Sequence, residues 1–514
     1  MASVTSANRS VQGKLGGSML HGKQRWWWLA GAIVLLLVAD GRYTIALAAW
    51  LAPLCLLSFV RAENPKRGLL IAYCVLVVTR GITLRGMSPS PGIFYYIFLI
   101  ISCVSAVIPY VADRLMAKRI GKAAGVFVFP TTLVATQFVY SHGPHGSWGS
   151  LAYTQAGNLP LLQLLSITGL WGIVFLMGWF AASGARMLQE GIGSLSARRG
   201  FLLFAGTYVV VVLLGGVRMV LLTPTSPTIR VASLSPVKTG QGISDAMLHD
   251  IAGGKASDAE VLAFRTTTMG IRDDLMTRSE REARAGAKII FWSEGAATVL
   301  KQDEPELLAR ASALAAKYQM YFGVSLATWS SGRPHPMENK LVLFEPSGDS
   351  VWQYSKVRLT PGPEAAMVVP SVDGRLKQSE SPYGKLSVAI CYDMDFLQLM
   401  RQAGEMRDDI LLSPASDWRA IDPRHTEIAS FRAIEEGFNL VRQANMGRSA
   451  AYDYQGRLLA TMDEFQSTDL TMVAQVPTRG VRTIYSQLGD WLAWISIVAF
   501  AIFVFVVLRN PHFS

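Results

Sequence analysis

Charge is scarce in this chain of 514 residues. Asp, Glu, Lys and Arg together make up 17%, against about 25% in ordinary soluble domains. With 51% of its residues hydrophobic, the chain is neither disordered nor a purely soluble enzyme. Cysteine is scarcer still: Cys55, Cys74, Cys103 and Cys391. The first three sit in apolar runs, where a thiol behaves as a small hydrophobe. Cys391 stands alone in the polar part, with no obvious disulfide partner and no CxxC pairing for zinc. Phosphate-cradling glycine loops and basic patches interleaved with aromatics are missing, which removes nucleotide and nucleic-acid binding. No metal or other cofactor is expected.

Apolar runs are abundant. Crossing a bilayer core as a helix takes about 20 apolar residues. The candidates are Trp26–Val38, Ile45–Val60, Gly68–Val78, Ile93–Ala112, Ala123–Tyr140, Leu161–Ala182, Phe201–Leu222 and Trp491–Leu508. The first and third are short enough to dip into the membrane rather than cross it. Loop charges test the count. Arg9, Lys14, Lys23 and Arg25 precede the first run; Arg61, Lys66 and Arg67 follow the second; Arg114, Lys118, Arg119 and Lys122 follow the fourth; Arg186, Arg198 and Arg199 follow the sixth. The alternate loops hold Arg42, then Arg80 and Arg85, then no Lys or Arg from Ser141 to Pro160. This alternation implies eight spans with both termini in the cytoplasm and the long segment after the seventh span outside it. The +11 net charge therefore reads as topology. Ala46-Leu47-Ala48 imitates a signal-peptide cleavage site, but a second apolar run continues through it, so a retained helix is expected. The spans hold almost no ionisable residues, which speaks against a transporter and for an anchor or lipid-binding platform.

From about Ser226 to Gln487 strand-like and helix-like segments alternate, the pattern of an α/β layered domain. Expected strands are Thr228–Leu234, Lys288–Trp292, Met320–Leu326, Lys340–Phe344, Lys385–Ile390, Ile410–Ser413, Leu440–Ala444 and Met472–Val476. Expected helices include Glu306–Tyr318, with Pro305 at its start, Phe396–Glu405 and Thr426–Glu436. The Pro-, Gly- and Ser-rich stretch Pro361–Gly384 reads as a long loop. The domains are thus 1–225, with about seven membrane helices, 226–487, the soluble domain, and 488–514, a last helix and cytoplasmic tail.

Three strand ends in the soluble domain carry unusual residues. Ile290-Phe291-Trp292-Ser293-Glu294-Gly295 delivers a carboxylate at a strand mouth; on its own, a surface Glu capping a turn is the commoner reading. Tyr354-Ser355-Lys356-Val357-Arg358-Leu359 places Lys356 in a strand-like run, with Glu364 eight residues on; an exposed strand lysine is likewise common. Leu386-Ser387-Val388-Ala389-Ile390-Cys391-Tyr392-Asp393 ends an apolar strand on a thiol, with a helix starting soon after. A thiolate there gains from the positive helix end, and the Tyr392 amide is placed to help bind an oxyanion. A base, a cation and a thiol are what thioester chemistry needs, and Glu294, Lys356 and Cys391 can fill those roles. His249, His335 and His425 stand beside no good partner motif, and none is required.

The order Glu, Lys, Cys, each on its own strand end, resembles the nitrilase (carbon–nitrogen hydrolase) superfamily. With seven spans before and one after, the layout resembles the apolipoprotein N-acyltransferases of bacterial envelopes. The likeness includes Gly146-Ser147-Trp148-Gly149, Tyr354–Glu364, Ile390–Asp393, Ser416-Asp417-Trp418 and Arg432–Gly447. The resemblance implies a multi-span α-helical membrane domain plus an α-β-β-α sandwich. It also implies a ping-pong transfer of an acyl chain from a membrane phospholipid, through a Cys391 thioester, to the amine of a diacylated apolipoprotein. By the same resemblance Glu294 is the base and Lys356 the oxyanion and thiolate stabiliser. Glu364 is a second carboxylate beside them, and Tyr392 and Asp393 support the Cys turn. The implied location is the bacterial inner membrane, with the catalytic domain periplasmic and the protein a monomer. The pattern departs from the family at Asp393, where a Glu is usual, at Thr360–Glu364, which lacks a Phe, and at Ser416, where an Asn is usual.

The apolar stretch Ala365-Ala366-Met367-Val368-Val369-Pro370 either packs on the domain or forms a lid resting on lipid. Trp418 and Phe396 are candidate site-lining residues, though buried aromatics more often serve as core. Two rival functions stay open: a membrane-anchored amidase with the same triad, in which water takes the acyl group, and a catalytically silent assembly protein whose Cys391 is unreactive.

Overall fold

The computed structural model describes residues 24–88, 92–121, 123–191, 193–237 and 243–509. Arg9, Lys14, Lys23 and Lys122 of the charge pattern, and tail residues 510–514, lie outside the described residues. The apolar runs fold as helices Gln24–Ala39, Ala46–Ala62, Pro65–Thr83, Ile93–Ile120, Ala124–Ser141, Leu170–Glu190, Leu195–Leu221 and Trp491–Arg509. The five from Ile93–Ile120 onward are long and apolar enough to cross a membrane.

One expectation about the spans needs correcting. Leu161–Ala182 is not one helix: Leu159–Leu162 and Leu165–Thr168 form short turns before Leu170–Glu190. The break is at Gly169, with φ +60°, where the Tyr485 ring packs so closely that a Cβ would collide with it. Leu165–Thr168 lies against Arg424–Glu436 and Ile484–Leu488, so docking of the polar domain overrides local hydrophobicity. The helices also bury charge. Asp113 of Ile93–Ile120 accepts two hydrogen bonds from Arg61, at 2.7 and 2.8 Å, and is buried.

The polar part is two facing sheets. The first runs Thr471–Pro477, Thr228–Leu234, Ile289–Trp292, Tyr321–Trp329, Met337–Phe344, Ser350–Ser355, with Ala297–Leu300 also paired to Tyr321–Trp329. The second runs Leu458–Asp463, Arg448–Tyr452, Asn439–Asn445, Ile410–Ser416, Leu386–Val388, Lys377–Ser379. Parallel pairs occupy both centres, as expected of strands that are apolar throughout because both faces are covered. Val231, Phe291, Leu343, Val388, Leu411 and Val441 join one core cluster between the sheets. Helices Asp258–Arg284 and Glu304–Tyr318 cover the first sheet, and Leu397–Met406 and Arg424–Glu436 belong to the second. The fold is thus the α-β-β-α sandwich.

Asp258–Arg284 was not anticipated, although Ser257 and Glu260 form a capping box at its start, a signal present in the sequence. Pro361–Gly384 is not a bare loop: it contains the short helix Pro363–Met367 and the strand Lys377–Ser379. The strand before Lys356 stops at Ser355, leaving the lysine just past its end.

The two parts share a core. Ile428, Phe431 and Ile434 of Arg424–Glu436 cluster with Tyr153, Leu165 and Trp171 of the helical part. Inside that contact Arg432 pairs with Glu435 at 2.8 Å, both fully buried, and donates to the Tyr153 hydroxyl at 3.2 Å. Trp171 Nε1 donates to Asp490 at 2.7 Å. Arg432 and Glu435 lie on one helix, so it is the bond from Arg432 to Tyr153 that crosses between the two parts.

Candidate active site

Three strand ends converge at the edge of the sandwich. Glu294 follows Ile289–Trp292, Lys356 follows Ser350–Ser355 and Cys391 follows Leu386–Val388. Lys356 Nζ donates to Glu294 Oε1 at 2.8 Å and to Glu364 Oε1 and Oε2 at 2.7 and 2.9 Å. Asn339 Nδ2 bridges the same two carboxylates, at 2.7 Å to Glu294 and 3.2 Å to Glu364. The Ser416 amide donates to Glu294 Oε2 at 2.8 Å, while its carbonyl faces Cys391 Sγ at 3.7 Å. Ser416 therefore touches both the carboxylate and the thiol. Glu364 reaches Lys356 because Pro363–Met367 turns it back, and the Thr360 amide holds it at 2.8 Å.

Cys391 adopts φ +50°, a region unfavourable to residues with a Cβ and typical of strained functional turns. Asp393 underpins the turn. It accepts from the Ile390 amide at 3.0 Å, the Tyr354 hydroxyl at 2.7 Å, and the Val357 and Arg358 amides at 3.2 and 2.7 Å. One buried carboxylate thus ties the Cys turn to the segment carrying Lys356. Tyr392 points the other way, its hydroxyl donating to the Pro144 carbonyl at 3.1 Å.

The electrostatics correct one expectation. The Cys turn is a single 3-10 turn, Cys391–Asp395, and burial, reinforced by Glu294, pushes the thiol well above its ordinary range, with Lys356 opposing. The resting group is a thiol, so a base must take its proton during the reaction. Lys356 is fully buried, which works against its charge, but Glu294, Cys391 and Glu364 hold it protonated, well above the usual range. Burial works against ionised Glu364, and Lys356 and Thr360 outweigh it, keeping the carboxylate below its ordinary value. Burial lifts Asp393 to about 6.

Sequence reasoning missed a second polar cluster behind the thiol. His425 Nδ1 lies 2.7 Å from Asp417 and Nε2 lies 3.2 Å from Asp395, and Arg442 Nη2 donates to Asp417 at 3.0 Å. Cys391, Asp417 and His425 bring donor atoms within 4.8 Å of one another, a spacing that could admit a metal ion. Arg442 already supplies positive charge to Asp417 there, and both imidazole nitrogens face carboxylates. Burial opposes a charged imidazole, but Asp417 and then Asp395 raise His425 to about 9. The cluster spans four separate segments, so no local motif announces it. Asn339 was missed for the same reason.

A cavity of about 360 Å³ opens over Cys391. Glu294, Lys356, Glu364, Cys391 and Trp418 face Leu84, Met87, Phe98, His145 and Trp148 of the helical part across it. Trp418 Nε1 donates to the Gly86 carbonyl at 2.8 Å, whereas Phe396 sits in the core, under the Arg358 guanidinium at 4.7 Å. The loop holding Gly146 and Ser147 is pinned to the Cys turn: Ser147 N and Oγ both donate to the Asp395 carbonyl, at 2.8 and 2.7 Å. Only glycine fits at 146, because φ is +54° and a Cβ would stand 2.5 Å from that same carbonyl oxygen.

Two family models match the chain: carbon-nitrogen hydrolase over residues 266–485 and apolipoprotein N-acyltransferase N-terminal domain over residues 30–183. The apolipoprotein N-acyltransferase of Geobacter metallireducens is 25% identical over 511 residues, covering 90% of this chain and 91% of that protein. That of Bradyrhizobium diazoefficiens is 25% identical over 418 residues, covering 75% and 74%. A solved amidase from Nesterenkonia sp. is 17% identical, covers 51% of this chain and 93% of its own, and superposes with a TM-score of 0.39.

Proposed function

Since the chain belongs to the apolipoprotein N-acyltransferase family, we propose that it moves an acyl chain from a membrane phospholipid to the amine of a diacylglyceryl-cysteine on an apolipoprotein, by way of Cys391. In this reading residues 226–487 do the chemistry. Residues 1–225 and 488–514 hold them at the bacterial inner membrane, with the catalytic domain on the periplasmic face. The observation that carries the reading is the cavity over Cys391, walled on one side by Glu294, Lys356 and Glu364 and on the other by apolar residues of the membrane helices.

Glu294 takes the proton from Cys391 Sγ as the sulfur attacks the ester carbonyl of the lipid. The carbonyl π electrons move to oxygen, and protonated Lys356, with the Tyr392 amide beside it, stabilises that oxyanion. Collapse breaks the ester C–O bond. The alkoxide takes the proton from Glu294 and leaves as lysophospholipid, and the acyl group stays on sulfur. The amine of the acceptor then attacks the thioester, Glu294 accepts its proton, the C–S bond breaks, and the proton returns to the thiolate. Glu364 keeps Lys356 charged and positioned throughout.

Intact mass spectrometry of the purified protein after exposure to phospholipid, without acceptor, tests this. An added acyl mass on wild type and none on Cys391→Ala is expected. Steady release of free fatty acid with no retained adduct would overturn transfer in favour of hydrolysis.

A further inference from the structure

A second, roomier cavity lies elsewhere. About 830 Å³ of space opens among the membrane helices, lined by Arg25, Arg61, Arg114, Lys118 and Arg186 against two carboxylates, Asp113 and Glu190. Its place in the bundle is given by helix Ile93–Ile120, which contributes Phe98 to the active cavity and Arg114 and Lys118 to this one. Sixteen residues separate Phe98 from Arg114, about 24 Å at 1.5 Å per residue, close to the thickness of a bilayer's hydrocarbon core. The two cavities therefore open toward opposite faces of the membrane.

Most of the cations in it are already neutralised. Arg61 is held by Asp113 at 2.7 Å, Arg25 by Glu63 at 3.3 Å and Arg186 by Glu190 at 2.9 Å. Arg114 and Lys118 are different. They stand one helical turn apart, on one face, and among the described residues neither meets a carboxylate. Arg114 reaches only the carbonyls of Arg61 and Glu63, at 3.3 and 3.0 Å, and its Nε is buried with no partner. Trp28, Val126 and Leu188 are among the apolar residues of the lining and Gln24, Ser58 and Gln189 among the polar ones, so the two positive charges face a pocket of mixed apolar and polar walls.

We infer that this cavity binds the phosphate-bearing headgroup of an anionic phospholipid from the leaflet opposite the active site, with Arg114 and Lys118 as its phosphate contacts. A planar guanidinium and an ammonium side by side suit phosphate oxygens, and basic pockets between membrane helices hold anionic headgroups elsewhere. A bound lipid there would brace the ends of Ala46–Ala62, Ile93–Ile120 and Leu170–Glu190, without taking part in acyl transfer.

The test uses the full chain in detergent, titrated with phosphatidylglycerol or phosphatidylcholine and read by native mass spectrometry. Wild type should retain phosphatidylglycerol over phosphatidylcholine, and Arg114→Gln/Lys118→Gln should lower that preference on the order of tenfold. Arg198→Gln/Arg199→Gln, an exposed basic pair outside the cavity, should leave it unchanged. Equal loss in both double variants would mean general surface charge and would sink the inference, as would no loss in either. If excess inorganic phosphate removed the preference, the ligand would be a soluble phosphate and the lipid assignment would fall. Lys118→Gln alone, at a residue exposed on its helix, keeps the test open should the double variant misfold.

Discussion

Tyr354 donates to Asp393 at 2.7 Å from the end of the strand that leads into Lys356, while Asp393 belongs to the turn that presents Cys391. That bond, with three backbone amides on the same carboxylate, fixes the distance between cation and thiol. Asp393→Asn should break this arrangement, since an amide group turned toward four donors leaves at least one unsatisfied in the interior. A stability loss of about 2–3 kcal/mol is expected, with acyl transfer falling further than thermal stability. Denaturation and transfer assays on the same preparation check it, and a fully active variant would contradict the role.

Lys356 is the only cation hydrogen-bonded to both Glu294 and Glu364 among the described residues. Lys356→Met removes it and leaves two carboxylates bridged by Asn339 alone. Transfer should drop about 100- to 1,000-fold. Lys356→Arg should not restore it, because a planar fork cannot replace a point charge in a buried site of this size. Single-turnover acylation of Cys391 is the measurement.

His425 connects pH to stability. Its neighbours are Asp417, Asp395, Arg442, Cys391 and the edge of Trp148. Burial opposes its charge and the two carboxylates outweigh that, so the folded pKa, about 9, exceeds the ordinary 6.5. A raised folded value means the imidazolium contributes fully below pH 6.5 and its contribution is lost as the pH climbs toward 9. That contribution is up to about 3 kcal/mol. Melting curves should show wild type losing stability across that window and His425→Asn losing much less; parallel slopes would refute the assignment.

The stretch Ala365–Pro370 divides into two parts. Val368 is fully buried and bridges to Met337, while Met367 and Val369 are exposed. Val368→Asp should cost at least about 2 kcal/mol. Met367→Asp/Val369→Asp should leave melting within about 0.5 kcal/mol of wild type yet slow acyl transfer from phospholipid, while a small soluble thiol reagent labels Cys391 at the wild-type rate. Unchanged lipid turnover would assign the whole stretch to packing.

Much was legible because it rests on local physics. Apolar runs announce helices, alternating segments announce an α/β domain, and apolar strands ending in Glu294 and Cys391 place polar groups where a sheet stops and solvent begins. Tertiary structure decided what local patterns do not encode. Glu294 and Ser416 lie 122 residues apart, at strand ends of different sheets, and meet because the two sheets pack face to face; His425 acquires Asp417, Asp395 and Arg442 from three other segments; Gly169 ends a helix because Tyr485 packs against it. The positive φ at Cys391 and the burial that keeps its thiol protonated are likewise consequences of packing. A residue's chemical type is a property of the chain, but its charge state and partners depend on which distant segments exclude water from it.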